Sequence, residues 1–241
     1  MSCVSKEKKE IGQLLLNEMK NGIFSKEDRL PRETVLSEQL GISRTQLRDA
    51  LADLEREGFI TRRHGVGTMI NHHVLTVKNR MDIETEFLDI IRQNGHEPSI
   101  AFLDVSETIA DEVVAKKLHI SQGTPTICIR LLCNADQKPA IYSEDVLEKH
   151  LVKEDYKEQD YKLIIFQFLR KFCDVEAYMD LTELHAVTAD AKIANILQIP
   201  EGTALLKMEE VDYDIEGKPL FCSNQYFVEG YFRHTVLRKK F

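Results

Sequence analysis

The chain has 241 residues, of which 43% are hydrophobic and 30% charged, an ordinary mix for a folded soluble protein of one large domain or two small ones. No apolar run reaches the roughly 18 residues needed to span a bilayer, and the Lys- and Glu-rich start, residues 1–10, is no secretory leader. Five cysteines without a Cys-x-x-Cys pair argue against a disulfide scaffold and a zinc ribbon and fit a reducing cytoplasm.

The net charge of −8 conceals a split. Residues 1–75 carry 12 Lys and Arg against 11 Asp and Glu, whereas the remainder carries 20 against 29. Arg44, Arg48, Arg56, Arg62 and Arg63 also crowd into twenty residues. Two parts with different electrostatic tasks are expected, divided as a domain over 1–72, a linker over 73–80 and a second domain over 81–241.

In chain order, Ile11, Leu14, Leu15 and Met19 share one face of a helix predicted over 6–20, with Asn21-Gly22 as its stop. A short helix from Arg32 to Leu40 turns Val35, Leu36 and Leu40 inward. After a Gly41-Ile42 turn, Ser43 is an N-cap and Gln46 completes a capping box. Leu47, Ala50, Leu51 and Leu54 then repeat at helical spacing up to Gly58. Two strands, 59–63 and 68–70, flank a tip at Gly65-Val66-Gly67. Two helices, a tight turn and a hairpin make a winged helix-turn-helix. The second helix begins Ser43-Arg44-Thr45-Gln46-Leu47-Arg48, polar and cationic at the end that would meet base edges and phosphates in a major groove. Its arginines suit bidentate bonds to guanine or phosphate. Charge alone leaves a plain helix pair open. Gly65-x-Gly67 lacks the third glycine and the setting of a phosphate loop, and His72 and His73 read as solvated linker residues without a metal.

These residues carry a resemblance. Arg29-Leu30-Pro31, Leu40 to Thr45, Leu47 to Leu51, Glu57-Gly58 and Arg63 to Thr68 resemble the winged helix-turn-helix of GntR-family transcription regulators over about residues 6–70. That resemblance implies a dimer on a short palindromic operator, usually a repressor. It implies DNA contacts at Ser43, Arg44, Thr45, Gln46 and Arg48, with the wing at His64 and Gly65. Where the family has Ser-Glu-Arg after Leu-Pro, this chain has Arg32-Glu33-Thr34, so either Arg32 or Thr34 takes over that contact or the contact is missing and the operator preference differs.

The remainder repeats itself. Ala110-Asp111, Ala115, Leu118, Ile120 and Gly123-Thr124 recur as Ala189-Asp190, Ala194, Leu197, Ile199 and Gly202-Thr203, all offset by 79. Each copy runs into an apolar strand, a turn (Asp136 to Pro139, Glu216 to Pro219) and a strand holding Ser143 or Ser223. The expected fold is α+β, an internal duplication paired into one antiparallel sheet with helices on one face. Gly95-x-x-Pro98-Ser99, Leu118-x-Ile120-x-x-Gly123-Thr124-Pro125, Ala135-Asp136-x-x-Pro139 and Lys218-Pro219 resemble the UTRA effector-binding domain of the HutC branch, over about 80–240. This implies a chorismate-lyase-like fold that binds a small metabolite without catalysis or cofactor.

By position, Ser99, Ser143, Asp145, Ser223 and Tyr226 are the candidate pocket residues. Phosphate-binding relatives carry Arg-x-Arg where this chain has Leu131 and Cys133, with Arg130 out of phase by one. Burying a phosphate without charged donors is costly, so the expected effector is a small polar molecule without phosphate. An enzyme is the rival class, yet no nucleophile elbow, His-Glu-x-x-His helix or Walker loop is present. A DNA-binding dimer without effector is the other alternative. The expectation is a cytoplasmic homodimeric repressor that takes double-stranded DNA and a small-molecule effector as partners, with no membrane partner.

Overall fold

The structure, a computed structural model, describes residues 2–153 and 164–239, and falls into two compact units. The first takes the chain up to Ile83 and again from Thr235 on; the second takes Glu84–His234. Residues 154–163, inside the domain expected over 81–241, lie outside the described residues. Among the described residues, no helix is long and apolar enough to cross a membrane.

The first unit runs α1 (Ser2–Lys20), β1 (Arg29–Leu30), α2 (Glu33–Leu40), α3 (Arg44–Arg56), β2 (Ile60–Arg63), β3 (Gly67–Ile70) and α4 (His72–Leu75). Ile11, Leu15 and Met19 from α1, Leu36 from α2 and Leu47, Ala50, Leu51 and Leu54 from α3 form its buried core. Each fully buried leucine contributes about 1.5–3 kcal/mol. One inward assignment needs correction: Val35 is exposed, and Ser37 is buried in its place; Leu14, on the apolar face of α1, is exposed as well. The Ser37 hydroxyl meets the cost of burial by donating to the Thr34 carbonyl. Gly41 turns the chain between α2 and α3 at φ 65°, a left-handed conformation that a side chain would strain.

The hairpin gains a third strand, since β1 pairs with β3 beside β2. The segment expected as linker is also more structured than a linker. Val74 and Leu75 of α4 belong to the core, and the Nε2 of His72 lies 2.9 Å from the Glu27 carbonyl. The end of the chain, expected in the second domain, groups with the first unit instead. Leu237 packs on its core, and Lys239 Nζ donates to the carbonyls of Glu55 and Arg56, each at 2.7 Å, satisfying free acceptors at the end of α3.

The second unit holds α5 (Phe87–Gln93), β4 (Pro98–Ile109), α6 (Glu112–Leu118), β5 (Pro125–Ala135), β6 (Lys138–Glu148), α7 (Ile165–Phe168), β7 (Met179–Thr188), α8 (Ala191–Leu197), β8 (Ala204–Tyr213) and β9 (Pro219–Val228). Its six strands form one antiparallel sheet in the order β4-β5-β6-β9-β8-β7. The two halves share local geometry. Asp111 and Asp190 cap α6 and α8 by accepting from Val114 N and Ile193 N, both at 2.8 Å. His119 and Gln198 end those helices in the left-handed region. The helix of each half also packs over the other half's hairpin, α6 against β9 and α8 against β6.

Candidate functional site

In the first unit the capping box forms as read. Ser43 Oγ accepts from Gln46 N at 3.2 Å, while Gln46 Oε1 accepts from Ser43 N at 3.2 Å and from its hydroxyl at 2.7 Å. The two candidate DNA contacts thereby fix one another's position through the cap. Arg44 and Thr45 stand exposed on the same turn. Arg44 makes no ion pair among the described residues, whereas Arg48 lies 3.6 Å from Glu33. Arg32, Thr34, His64 and Gly65 are exposed as well.

The structure sorts the other arginines by whether a carboxylate has taken them. Arg62 is held by Glu55 at 2.7 Å and Arg56 by Asp53 at 2.7 Å. Arg63, next to Arg62 on β2, is exposed. Arg29 donates to the Val66 carbonyl at 3.3 Å and braces the wing tip. Sequence reasoning missed both roles, because a count of basic residues does not distinguish a paired guanidinium from an open one.

The second unit contains a cavity on one face of its sheet. Alternation along the paired strands decides what faces it. Asp145 on β6 is opposite Ser223 on β9, which is opposite Glu210 on β8; Ser143, Gln225 and Met208 form the next row. Leu131, Asp145, Glu210, Phe221 and Gln225 line the cavity from the sheet. The segment Glu84 to Phe87 and the start of α7, Ile164 to Phe166, complete its walls.

Of the five expected pocket residues, Asp145 is among the lining residues and two others bind to it. Ser143 and Ser223 donate to the same Asp145 oxygen at 2.8 and 2.6 Å, all three being buried. Burial pushes the Asp145 carboxyl up to about 6, opposed by the two hydroxyls and helped by the nearby charge of Glu144. Ser99 is exposed on the edge strand β4, paired with Asn134, and is not among the residues that line this cavity. Neither is Tyr226. It sits one residue out of phase, on the opposite face, stacked on Tyr142 with ring centroids 6.2 Å apart. Alternation from Ser223 reaches Gln225, the residue that does line the cavity.

Leu131 faces the cavity and Cys133 follows it on the same side, where burial pushes the thiol up to about 12. Arg130 points to the helix-covered face. It is fixed there by Asp104 at 3.0 Å, Ser106 at 2.8 Å and Glu144 at 3.4 Å. The cavity therefore gains no arginine from this strand.

Two acids were not foreseen. Glu210 is buried and accepts from Gln225 Nε2 and from Thr182 at 3.2 Å. Burial first, then the charges of Glu84 and Asp180, raise its carboxyl to about 8. Asp212, two residues along β8, is 3% exposed, and its Oδ2 has no hydrogen-bond partner among the described residues. Burial and the same group of acids raise it to about 9. The lining includes no Lys, Arg or His among the described residues. The signal was present as Met208-x-Glu210-x-Asp212, a period-2 row, but nothing in it says which row a helix covers.

The chain matches the family model for bacterial regulatory proteins of the gntR family over residues 7–70 and the UTRA domain model over residues 93–233. It is 21% identical over 226 residues to the uncharacterized HTH-type transcriptional regulator YurK of Bacillus subtilis, covering 89% of this chain and 88% of that one. It is 28% identical over 155 residues to the histidine utilization repressor of Klebsiella aerogenes, covering 63% and 62%. Its fold is similar to the crystal structure of YydK from Bacillus subtilis at a TM-score of 0.77, with 17% identity over 97% of this chain and 99% of the other.

Proposed function

Since the chain belongs to the GntR family of bacterial regulatory proteins and carries a UTRA domain, which makes it a transcription regulator with an effector-binding domain, we propose that it is a cytoplasmic repressor. It binds a palindromic operator as a homodimer and is released by a small polar effector without phosphate. The observation that carries the DNA reading is the exposed first turn of α3, where Arg44 stands without an ion pair among the described residues beside Thr45 and Arg48. Ser43, Gln46, Arg32 and Thr34 surround it, and His64 and Gly65 form the wing contact.

Support for the homodimer comes from the sheet edge at β7, where Met179, Leu181 and Leu184 are 51%, 63% and 53% exposed. An apolar edge strand left in water invites pairing with another chain. Ser143, Asp145 and Ser223 hold the effector, and a cavity without a cation among its described lining residues disfavours phosphate. Effector binding shifts the population between arrangements whose recognition helices do and do not match the half-site spacing.

A mobility-shift titration at fixed salt, on the DNA upstream of the protein's own gene, tests the reading. Arg44→Ala should weaken binding by about 1–3 kcal/mol, roughly 5- to 150-fold. Unchanged affinity in Arg44→Ala and in Arg48→Ala would remove α3 from the interface.

A further inference from the structure

We infer that the cavity of the second unit binds a linear aliphatic amine carrying two or more ammonium groups. The inference rests on the effector reading above and names its ligand class. Asp145 and Glu210 face the cavity from β6 and β8, with Ser223 of β9 between them in one row. Two inter-strand steps place their backbones about 10 Å apart. Asp212 continues the β8 row on the same face, opposite the lining residue Phe221. It is 3% exposed, and one of its carboxylate oxygens has no partner among the described residues. A buried acceptor left without a donor is costly, and a ligand N–H supplies that donor.

The form of the cluster selects among cations. Among the described residues, no group of three or more acidic, His or Cys side chains could hold a metal ion, so the negative charge is spread along a row instead of focused on a point. The walls between the carboxylates are apolar, from Leu131, Ile164, Ile165, Phe166, Phe221 and Phe87. Methylenes bury favourably against such walls, and an ammonium group gains further from an aromatic face. A chain with charged ends and an apolar middle matches that alternation, whereas a sugar or nucleoside offers the row no cation to favour its ionised form.

Proton release follows from the same geometry. The titratable groups that line the site are Asp145 and Glu210 on the sheet and Glu84 and Glu86 on the entering segment, with Asp212, its β7 neighbour Asp180 and the Cys133 thiol beside them in the sheet. Glu210 and Asp212, raised to about 8 and about 9, are largely protonated at neutral pH. An arriving ammonium favours their ionised forms and expels the protons. Binding therefore tightens as pH rises from about 6 to 8.5.

The full chain is titrated calorimetrically with 1,4-diaminobutane, spermidine, 1-aminobutane, 1,4-butanediol and Mg²⁺, in buffers of different ionisation enthalpy. The two polyamines should bind at least about tenfold tighter than the monoamine. The diol and Mg²⁺ should not compete, and the heats should vary with buffer as protons leave. Asp145→Asn and Glu210→Gln should each weaken polyamine binding about tenfold or more, while melting curves and DNA binding show them folded. Binding that survives both substitutions, or equal binding of Mg²⁺, overturns the inference. A melting-temperature panel of unphosphorylated sugars and nucleosides separates the two levels of the argument. If a neutral compound stabilises the wild-type chain and loses that effect in Ser143→Ala while amines have none, the amine class is wrong and the effector reading stands. If neither amines nor neutral compounds bind, both fall.

Discussion

Glu209 and Glu210 are neighbours on β8, and Glu144 and Asp145 are neighbours on β6, yet each pair divides between opposite faces of one sheet. On the helix-covered face Glu209 and Glu144 each have cations. Glu209 accepts from Lys117 at 2.8 Å and from Lys207 at 2.6 Å, and these bonds pull its carboxyl down to about 2. Glu144 is met by Arg130 and Lys192, and its carboxyl is lowered although burial opposes them. On the cavity face Asp145, Glu210 and Asp212 are raised to about 6, about 8 and about 9. One face is electrostatically complete within the unit. The other holds buried carboxyls that meet no cation among the described lining residues and keep their protons instead, which is the condition of a binding site rather than of a structural core.

The most demanding test of this contrast is pH. For a carboxyl whose folded pKa is raised, the folded state binds the proton more tightly than the unfolded chain does. Its contribution is fully present below the unfolded value near 4 and is lost as pH rises through the folded value. The cavity acids should therefore cost the unliganded protein stability on the order of a few kcal/mol between about pH 5 and pH 9. Chemical denaturation across that range measures it, and a flat profile would show that the cavity acids carry compensating charge.

Substitution of adjacent residues should have opposite signs. Glu209→Gln breaks two charge-assisted bonds and should cost about 1–3 kcal/mol at pH 8. Glu210→Gln imitates the protonated carboxyl, keeps an acceptor for Gln225, and should be neutral at pH 5 and stabilising at pH 9. Loss of stability in both variants at both pH values would erase the distinction between the faces. A smaller effect belongs to Lys192, 64% exposed in its pair with Glu144. Lys192→Ala should cost at most about 1 kcal/mol and less in high salt, and a larger loss would mean that the helix-covered face is drier than its exposure indicates.

The legible parts of the molecule are those whose reasons are local. Ser43 and Gln46 lie three residues apart and Leu47, Ala50, Leu51 and Leu54 obey one period, so α3 and its cap follow from a short window. The winged helix-turn-helix and the antiparallel α+β sheet followed from the residues and from the family resemblance together. Errors arose where one window was too short or two were needed. Val35 and Ser37 exchange places in an eight-residue helix whose apolar period is barely sampled, and β1 is only two residues long. Tyr226 was assigned by a positional pattern against the strand's own alternation. The cavity joins β5, β6, β8 and β9 to the segments at 84–87 and 164–166. The identity of its exposed row depends on which face α6 and α8 cover, and no single strand carries that information.

The segment from Thr235 back to the first unit has a consequence for anyone who cuts this protein. Leu237 lies where a Cβ on Gly58 would collide with it, and Lys239 holds the last carbonyls of α3. The reader of DNA is thus discontinuous in sequence, and the sensor is an insertion between its body and its final strap. A chimaera that grafts residues 1–80 onto a foreign sensor would discard that strap and fray the far end of the recognition helix. An exchange made at two junctions, near 83 and 235, would preserve it. Swapped sensors of this architecture should work with two seams and fail with one.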